Sequence, residues 1–169
     1  ILVVDGESAD DTKEKVLALT KLYPFIQLLD NPKKITPTAL NIGIKHARGD
    51  IIFRMDAHAT YFKNYLSACV EHLSKFNAEN VGGLLATEPR YKTIMARSIA
   101  YVLSNPFGVG NSPFRTIRTA PQEVDTVAFG CYPKSVFTRV GLFNEQLTRS
   151  QDLEFNLRIR RAGGKIVIF

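Results

Sequence analysis

The chain has no apolar run near the roughly 20 residues a membrane helix needs, and no signal peptide. No helix of these residues is therefore expected to cross a bilayer. Cysteine is scarce: Cys69 and Cys131 are the two, without metal-type spacing and too few for a disulfide framework. Reduced thiols in the cytoplasm are the expectation. Long basic blocks and nucleic-acid modules are missing as well, so the formal net charge of +6 does not read as nucleic-acid binding. It favours smaller anionic partners, nucleotide diphosphates among them, or an acidic membrane surface. Repeats, low-complexity tracts and dividing linkers are also absent, which makes residues 1–169 one domain. The first residue is Ile1, not Met, and both ends are strand-like. The chain is thus expected to be truncated at both ends, with any membrane association left to segments outside it.

What is present alternates. Ile1-Leu2-Val3-Val4 is a buried strand that stops at Asp5-Gly6-Glu7-Ser8. Val16, Leu19 and Tyr23 then recur at helical spacing, and Pro24 closes that segment. A second strand over 25–29 leads through Asp30-Asn31-Pro32 to a helix opened by Thr36 and Pro37 and ended by Gly49. A third strand spans 50–55. Further helices are predicted over 61–76, 92–103, 133–137 and 151–162, with strands over 81–87, 124–132 and 166–169. Residues 105–113, rich in Gly, Pro and Asn, read as a loop. Strands and helices alternate at the spacing of βαβ units, which predicts an α/β fold with a mainly parallel sheet flanked by helices.

The polar residues that could do chemistry gather at the strand ends. After Ile51-Ile52-Phe53 comes Arg54-Met55-Asp56-Ala57-His58. Strand alternation points Asp56 and His58 the same way, offering an oxygen and a nitrogen ligand for a divalent cation. A polar turn after a buried strand explains them equally well. Asp5 and Glu7 follow the first strand, where a carboxylate can accept hydrogen bonds from a base or ribose; Glu7 reads better as a turn residue. Asp152 opens the late helix, where a carboxylate complements the helix dipole whether or not it is catalytic. Lys33, Lys34 and Arg48 could reach phosphates, and Asn41 could bond a ligand or the local backbone. His46 and His72 lie within helices without evident partners and read as structural.

The order of these elements resembles that of family 2 glycosyltransferases of the GT-A (Rossmann-like) fold, over essentially the whole chain. Ile1 to Thr12 resembles the family's second strand with its acidic nucleotide-binding turn. Thr38-Ala39-Leu40-Asn41-Ile42-Gly43 resembles a helix with an Ala-x-Asn-x-Gly core. Arg48 to His58 is similar to the strand entering the Asp-x-Asp metal motif. Gln151-Asp152-Leu153-Glu154 resembles the segment holding the catalytic Glu-Asp pair. Asp-Ala-His together with Asn105-Pro106-Phe107-Gly108-Val109-Gly110-Asn111 is similar to the succinoglycan, exopolysaccharide-type branch. The sequence departs from the family at Gly6, His58 and Gln151, where relatives carry acidic residues.

The resemblance implies an inverting, metal-dependent hexosyltransferase of polysaccharide synthesis, located in the cytoplasm or at the cytoplasmic face of the membrane. Its donor would be a nucleotide-diphosphate sugar, most simply a UDP-sugar, and its acceptor a glycan or lipid-linked hydroxyl. Asp152 would be the base. Asp56 and His58 would hold Mn2+ or Mg2+, and Asp5, Glu7, Lys34, Asn41 and Asp56 would contact the donor. Gly130 would lie near the acceptor, because a small residue permits close approach. The family's first strand would lie upstream of Ile1. A sugar-nucleotide nucleotidyltransferase and a non-catalytic nucleotide-sugar-binding module are the alternatives.

Overall fold

Leu2–Asp5 (β1) and Gln27–Asp30 (β2) pair in parallel with Leu2 opposite Gln27 and Asp5 opposite Asp30, and helix Thr12–Leu22 (α1) connects them. The computed structural model describes residues 1–89, 91–110, 112–116 and 121–169. Helix Thr36–His46 (α2) lies over β1, and Val4 comes within 3.6 Å of where a side chain on Gly43 would start. Pro37 sits in the first turn of α2, where its missing N–H has no intrahelical partner to lose.

The second sheet holds Ile51–Phe53 (β3), Asn80–Gly82 (β4), Gln122–Glu123 (β5), Cys131–Pro133 (β6) and Ile166–Ile168 (β7). Its order is β3-β6-β4-β7-β5. The α/β class with helix-flanked sheets holds, but the mainly parallel sheet is corrected. Only β4 with β7 is parallel here, while β6 runs antiparallel to both neighbours and β5 antiparallel to β7. The physical reason is connectivity. After β4 the chain does not return through one crossover helix but wanders through Ile94–Leu103 (α4), Pro106–Val109 (α5) and Pro113–Thr116 (α6). It rejoins the sheet first as β5 at the edge beside β7, and then as β6 between β3 and β4, antiparallel to both.

The strands are also shorter than their apolar runs. Residues 83–87 leave the ladder after Gly82, and 124–130 form no strand between β5 and β6. Helix α3 begins at Tyr65 and ends at Phe76, capped by Asn77 in the left-handed region. The segment 105–113 contains one short helical turn, α5, and runs into the start of α6; Asn111, the last residue of that motif, lies outside the described residues.

Alternation along the strands divides the core into two. Ile166, Ile168 and Tyr132 face one side with Phe137 and Val136 of helix Ser135–Val140 (α7) and Phe155 and Ile159 of helix Gln151–Arg161 (α8). Val167, Val81 and Cys131 face the other, against Cys69 and Leu73 of α3. Both sheet faces are covered, which is why Ile166-Val167-Ile168-Phe169 is apolar without a break. Phe155 stacks on Phe143 at 4.4 Å and on Phe137 at 5.2 Å between centroids, and burying such a ring is worth about 1.5–3 kcal/mol. This packing fixes α8, and with it Asp152. Cys69 and Cys131 are buried free thiols. No described helix is long and apolar enough to cross a membrane.

Candidate active site

Strand β3 releases Arg54, whose backbone N–H donates to Gly130 O at 3.0 Å, and then turns at Asp56. The Arg54 side chain, 9% exposed, lies between two carboxylates. Its Nε donates to Asp56 Oδ1 at 3.0 Å and Nη2 to Asp56 Oδ2 at 3.3 Å, while Nη1 donates to Oδ1 of Asp152. Asp56 and Asp152, separated by 96 positions in sequence, thus share one guanidinium. The backbone N–H of Asp56 donates to the Tyr61 hydroxyl at 2.9 Å, which fixes the turn.

The electrostatics of the cluster follow from its burial. Burial works against the charge on Arg54, but the hydrogen bonds it donates to Asp56 and the charge of Asp152 outweigh it, and its pKa is raised. Asp152 is pushed above the usual carboxylate range by burial, only partly offset by Arg54. Tyr132, beneath the cluster, is raised strongly by burial, with the Asp152 charge acting in the same direction. A carboxylate held ionised by one guanidinium and otherwise poorly hydrated is a basic carboxylate, the property a general base needs.

Backbone strain occurs at candidate-site residues. Phe129 and Ser150, near this cluster, adopt φ of 51° and 59° without being glycine, and Glu7 and Lys34, in the separate group described below, do so at 59°. Each such residue costs of order 1–3 kcal/mol, and such residues gather where a site is shaped. Phe129 in this conformation places its ring 5.8 Å from the Arg54 guanidinium carbon and edge-on to His58 and Tyr61. Ser150 turns the chain into α8, and its side chain makes no capping bond. One turn into α8, buried Asn156 accepts from Asn80 Nδ2 at 2.7 Å and donates to Thr126 Oγ1 at 2.8 Å. Glu154 pairs with Arg158 as its spacing predicts, and Arg158 also reaches the carbonyls of Val140 and Leu142.

The residues expected to face the donor form two further groups. Asp5 is buried and accepts from Ser8 N at 3.0 Å and Ser8 Oγ at 2.5 Å, with Lys13 Nζ 3.8 Å away. The Ser8 hydroxyl bond, opposed by burial, leaves its pKa below the ordinary aspartate value. Glu7 pairs with Lys34 at 2.8 Å, both largely exposed. Asn41 points inward: its Nδ2 donates to Phe143 O at 2.9 Å and Glu145 Oε1 at 3.0 Å, and its Oδ1 accepts from Phe143 N. Lys33 holds the other oxygen of Glu145 at 2.8 Å, and this carboxyl is lowered to about 2 by Lys33 and Asn41. Among the described residues no hydrogen bond or ion pair joins the Asp5 turn to the Arg54 cluster. His46 and His72 bond carbonyls one turn back, Ile42 O and Ala68 O, as structural residues do.

A divalent cation is tested by the donors on offer. His58 is exposed and Asp56 partly so, and carboxylate with imidazole suits Mn2+-like ions. Among the described residues no group of three or more His, Cys, Asp and Glu could hold a metal ion, so water and ligand oxygens would complete the sphere. The two residues fit on those terms. Sequence reading missed Arg54, although the alternation that aligns Asp56 with His58 aligns Arg54 with both. Gly130 also gains a nearer explanation: its Cα faces Asn80 and Tyr132 in the core.

The family model for Glycosyl transferase family 2 matches residues 1–144. The succinoglycan biosynthesis protein ExoA of Rhizobium meliloti (strain 1021) is 27% identical over 168 residues, 98% of this chain and 50% of that protein. A dolichyl N-acetyl-α-D-glucosaminyl phosphate 3-β-D-2,3-diacetamido-2,3-dideoxy-β-D-glucuronosyltransferase of Methanococcus voltae is 30% identical over 174 residues, 98% of this chain and 53% of that protein. The chain spans about half the length of these curated relatives. GalNAc-T7, crystallised with UDP, GalNAc and Mn2+, superposes with a TM-score of 0.72 at 18% identity, covering 99% of this chain and 36% of that one. S. aureus TarS 1-349 in complex with UDP-GlcNAc superposes at 0.69 and 15% identity, covering 99% and 46%. The fold is that of the GT-A glycosyltransferases.

Proposed function

Because the chain belongs to glycosyl transferase family 2, we propose that it carries the donor site and base of an inverting hexosyltransferase. The enzyme would move sugar from a nucleotide-diphosphate sugar, a UDP-sugar most simply, to a glycan or lipid-linked hydroxyl in cell-surface polysaccharide synthesis. It would work in the cytoplasm or at the cytoplasmic face of the membrane, with residues 1–169 as part of its catalytic domain. The observation that carries this reading is the convergence of Asp56 and Asp152 on Arg54.

Asp152 acts through Oδ2, since Oδ1 is held by Arg54. It takes the proton of the acceptor hydroxyl as that oxygen forms its bond to the anomeric carbon. The bond from the anomeric carbon to the diphosphate oxygen breaks on the opposite face, and the electron pair leaves with the nucleotide. Positioned base catalysis of this kind contributes on the order of 10²–10⁴ in rate. Asp56 and His58 would hold Mn2+ or Mg2+, whose charge would balance that of the diphosphate. The neighbour holding UDP and Mn2+ supports such a site in this fold. Asp5, Glu7 and Lys34 line the nucleoside side, with Asn41 acting one step back by holding Glu145 against Lys33.

The test uses the full-length protein. Nucleotide sugars that bind the folded form raise its melting temperature, and Mn2+ should strengthen that shift. Asp152→Asn should then lower transfer by at least about 100-fold while donor affinity stays within about twofold, because the base is lost but little donor contact. Equal loss of both would assign Asp152 a structural role and defeat the reading.

A further inference from the structure

A guanidinium as buried as that of Arg54 is unfavourable unless its donors are answered. Here Nε and Nη2 serve both oxygens of Asp56, Nη1 serves Asp152, and the Phe129 ring packs 5.8 Å from Cζ. The backbone of the same residue is tied to Gly130. Arg54 is thus fixed at its root and divided at its tip between the cation-binding carboxylate and the base.

Resting on the transfer reading, we propose that Arg54 is a positioning residue that couples donor binding at Asp56 to the setting of Asp152. Its guanidinium occupies the same two oxygens that a cation at Asp56 would need. In the resting site it neutralises both carboxylates together. When Asp56 is engaged by the donor and its cation, the guanidinium keeps Asp152 as its remaining carboxylate and holds Oδ2 toward the acceptor. Lysine cannot reproduce it, because one ammonium cannot present a fork to one carboxylate and a third N–H to another.

The experiment measures two quantities on the full-length protein: Mn2+ affinity without nucleotide, from the electron paramagnetic resonance of the free ion, and kcat and KM for transfer. Arg54→Met removes a positive charge beside Asp56, so Mn2+ should bind roughly tenfold more tightly under near-aqueous screening, while kcat falls. Arg54→Lys should keep Mn2+ affinity near wild type and donor KM little changed, yet still lose kcat. A merely structural arginine would weaken binding and turnover together. Unchanged or weaker Mn2+ binding in Arg54→Met, or full kcat in Arg54→Lys, overturns the proposal. If Arg54→Met does not fold, the lysine variant decides alone by the same kcat criterion. A wild-type protein that binds Mn2+ and nucleotide sugar, with variants that show no such split, removes the coupling and leaves the transfer reading standing. A wild type that binds no nucleotide sugar removes both.

Discussion

Replacing Gly130 by alanine probes the packing beneath the site. A Cβ at this position would stand 2.5 Å from Tyr132 Cζ and closer still to the Tyr132 hydroxyl and Asn80 Oδ1. Carbon atoms in contact prefer about 3.5–4.0 Å, so the neighbours must retreat by about 1 Å. Neither can do so cheaply, since Tyr132 is 1% and Asn80 0% exposed. Overpacking of a rigid core costs about 1–3 kcal/mol. Displacing Asn80 also disturbs its bond to Asn156, worth about 0.5–1.5 kcal/mol. The expected loss is therefore about 3 kcal/mol, or about 6–12 °C of melting temperature for a chain of this size. Gly49→Ala is the control, because the nearest atom to its new Cβ is Ile51 O at an ordinary 3.7 Å. Thermal and urea melts of both variants provide the assay. Gly130→Ala melting with the wild type and with Gly49→Ala would show that the pocket yields and the reasoning is wrong.

Asp56→Ala should abolish the Mn2+-dependent part of donor binding; titration calorimetry showing the wild-type affinity would remove Asp56 from the cation site. Glu145 has its pKa lowered from 4.5 to about 2, chiefly by Lys33 and then Asn41. A carboxyl depressed on folding adds stability above its unfolded pKa and loses it as pH falls toward the folded value. The urea midpoint of Glu145→Gln should therefore lie below wild type at neutral pH, with the gap narrowing as the pH is lowered from about 5 toward 3. A gap that stays constant over that range would contradict the assignment.

The elements were readable because their signals are local. Pro37 near the start of α2, Gly163 after α8 and the unbroken Ile166-Val167-Ile168-Phe169 each announce themselves within a few residues. Strand direction was not readable, since β6 is placed by partners at 51–53 and 81, far from it in sequence. Asn41 illustrates the same divide. Its helix buries Pro37, Thr38, Asn41 and Ile44, a stripe that periodicity could have shown to include the asparagine. The partners it meets, Phe143 and Glu145, lie about a hundred residues on and carry no local mark. For Arg54 the alternation was visible, but the remote carboxylate that makes it interesting was not.

Asn156 restricts how α8 can move. Sliding the helix by one residue would rotate it by about 100° and carry this amide away from Asn80 and Thr126. An oily interface of phenylalanines tolerates small slips, whereas two directional bonds to fixed neighbours do not. The register of the helix is therefore locked by polar chemistry one turn below Asp152.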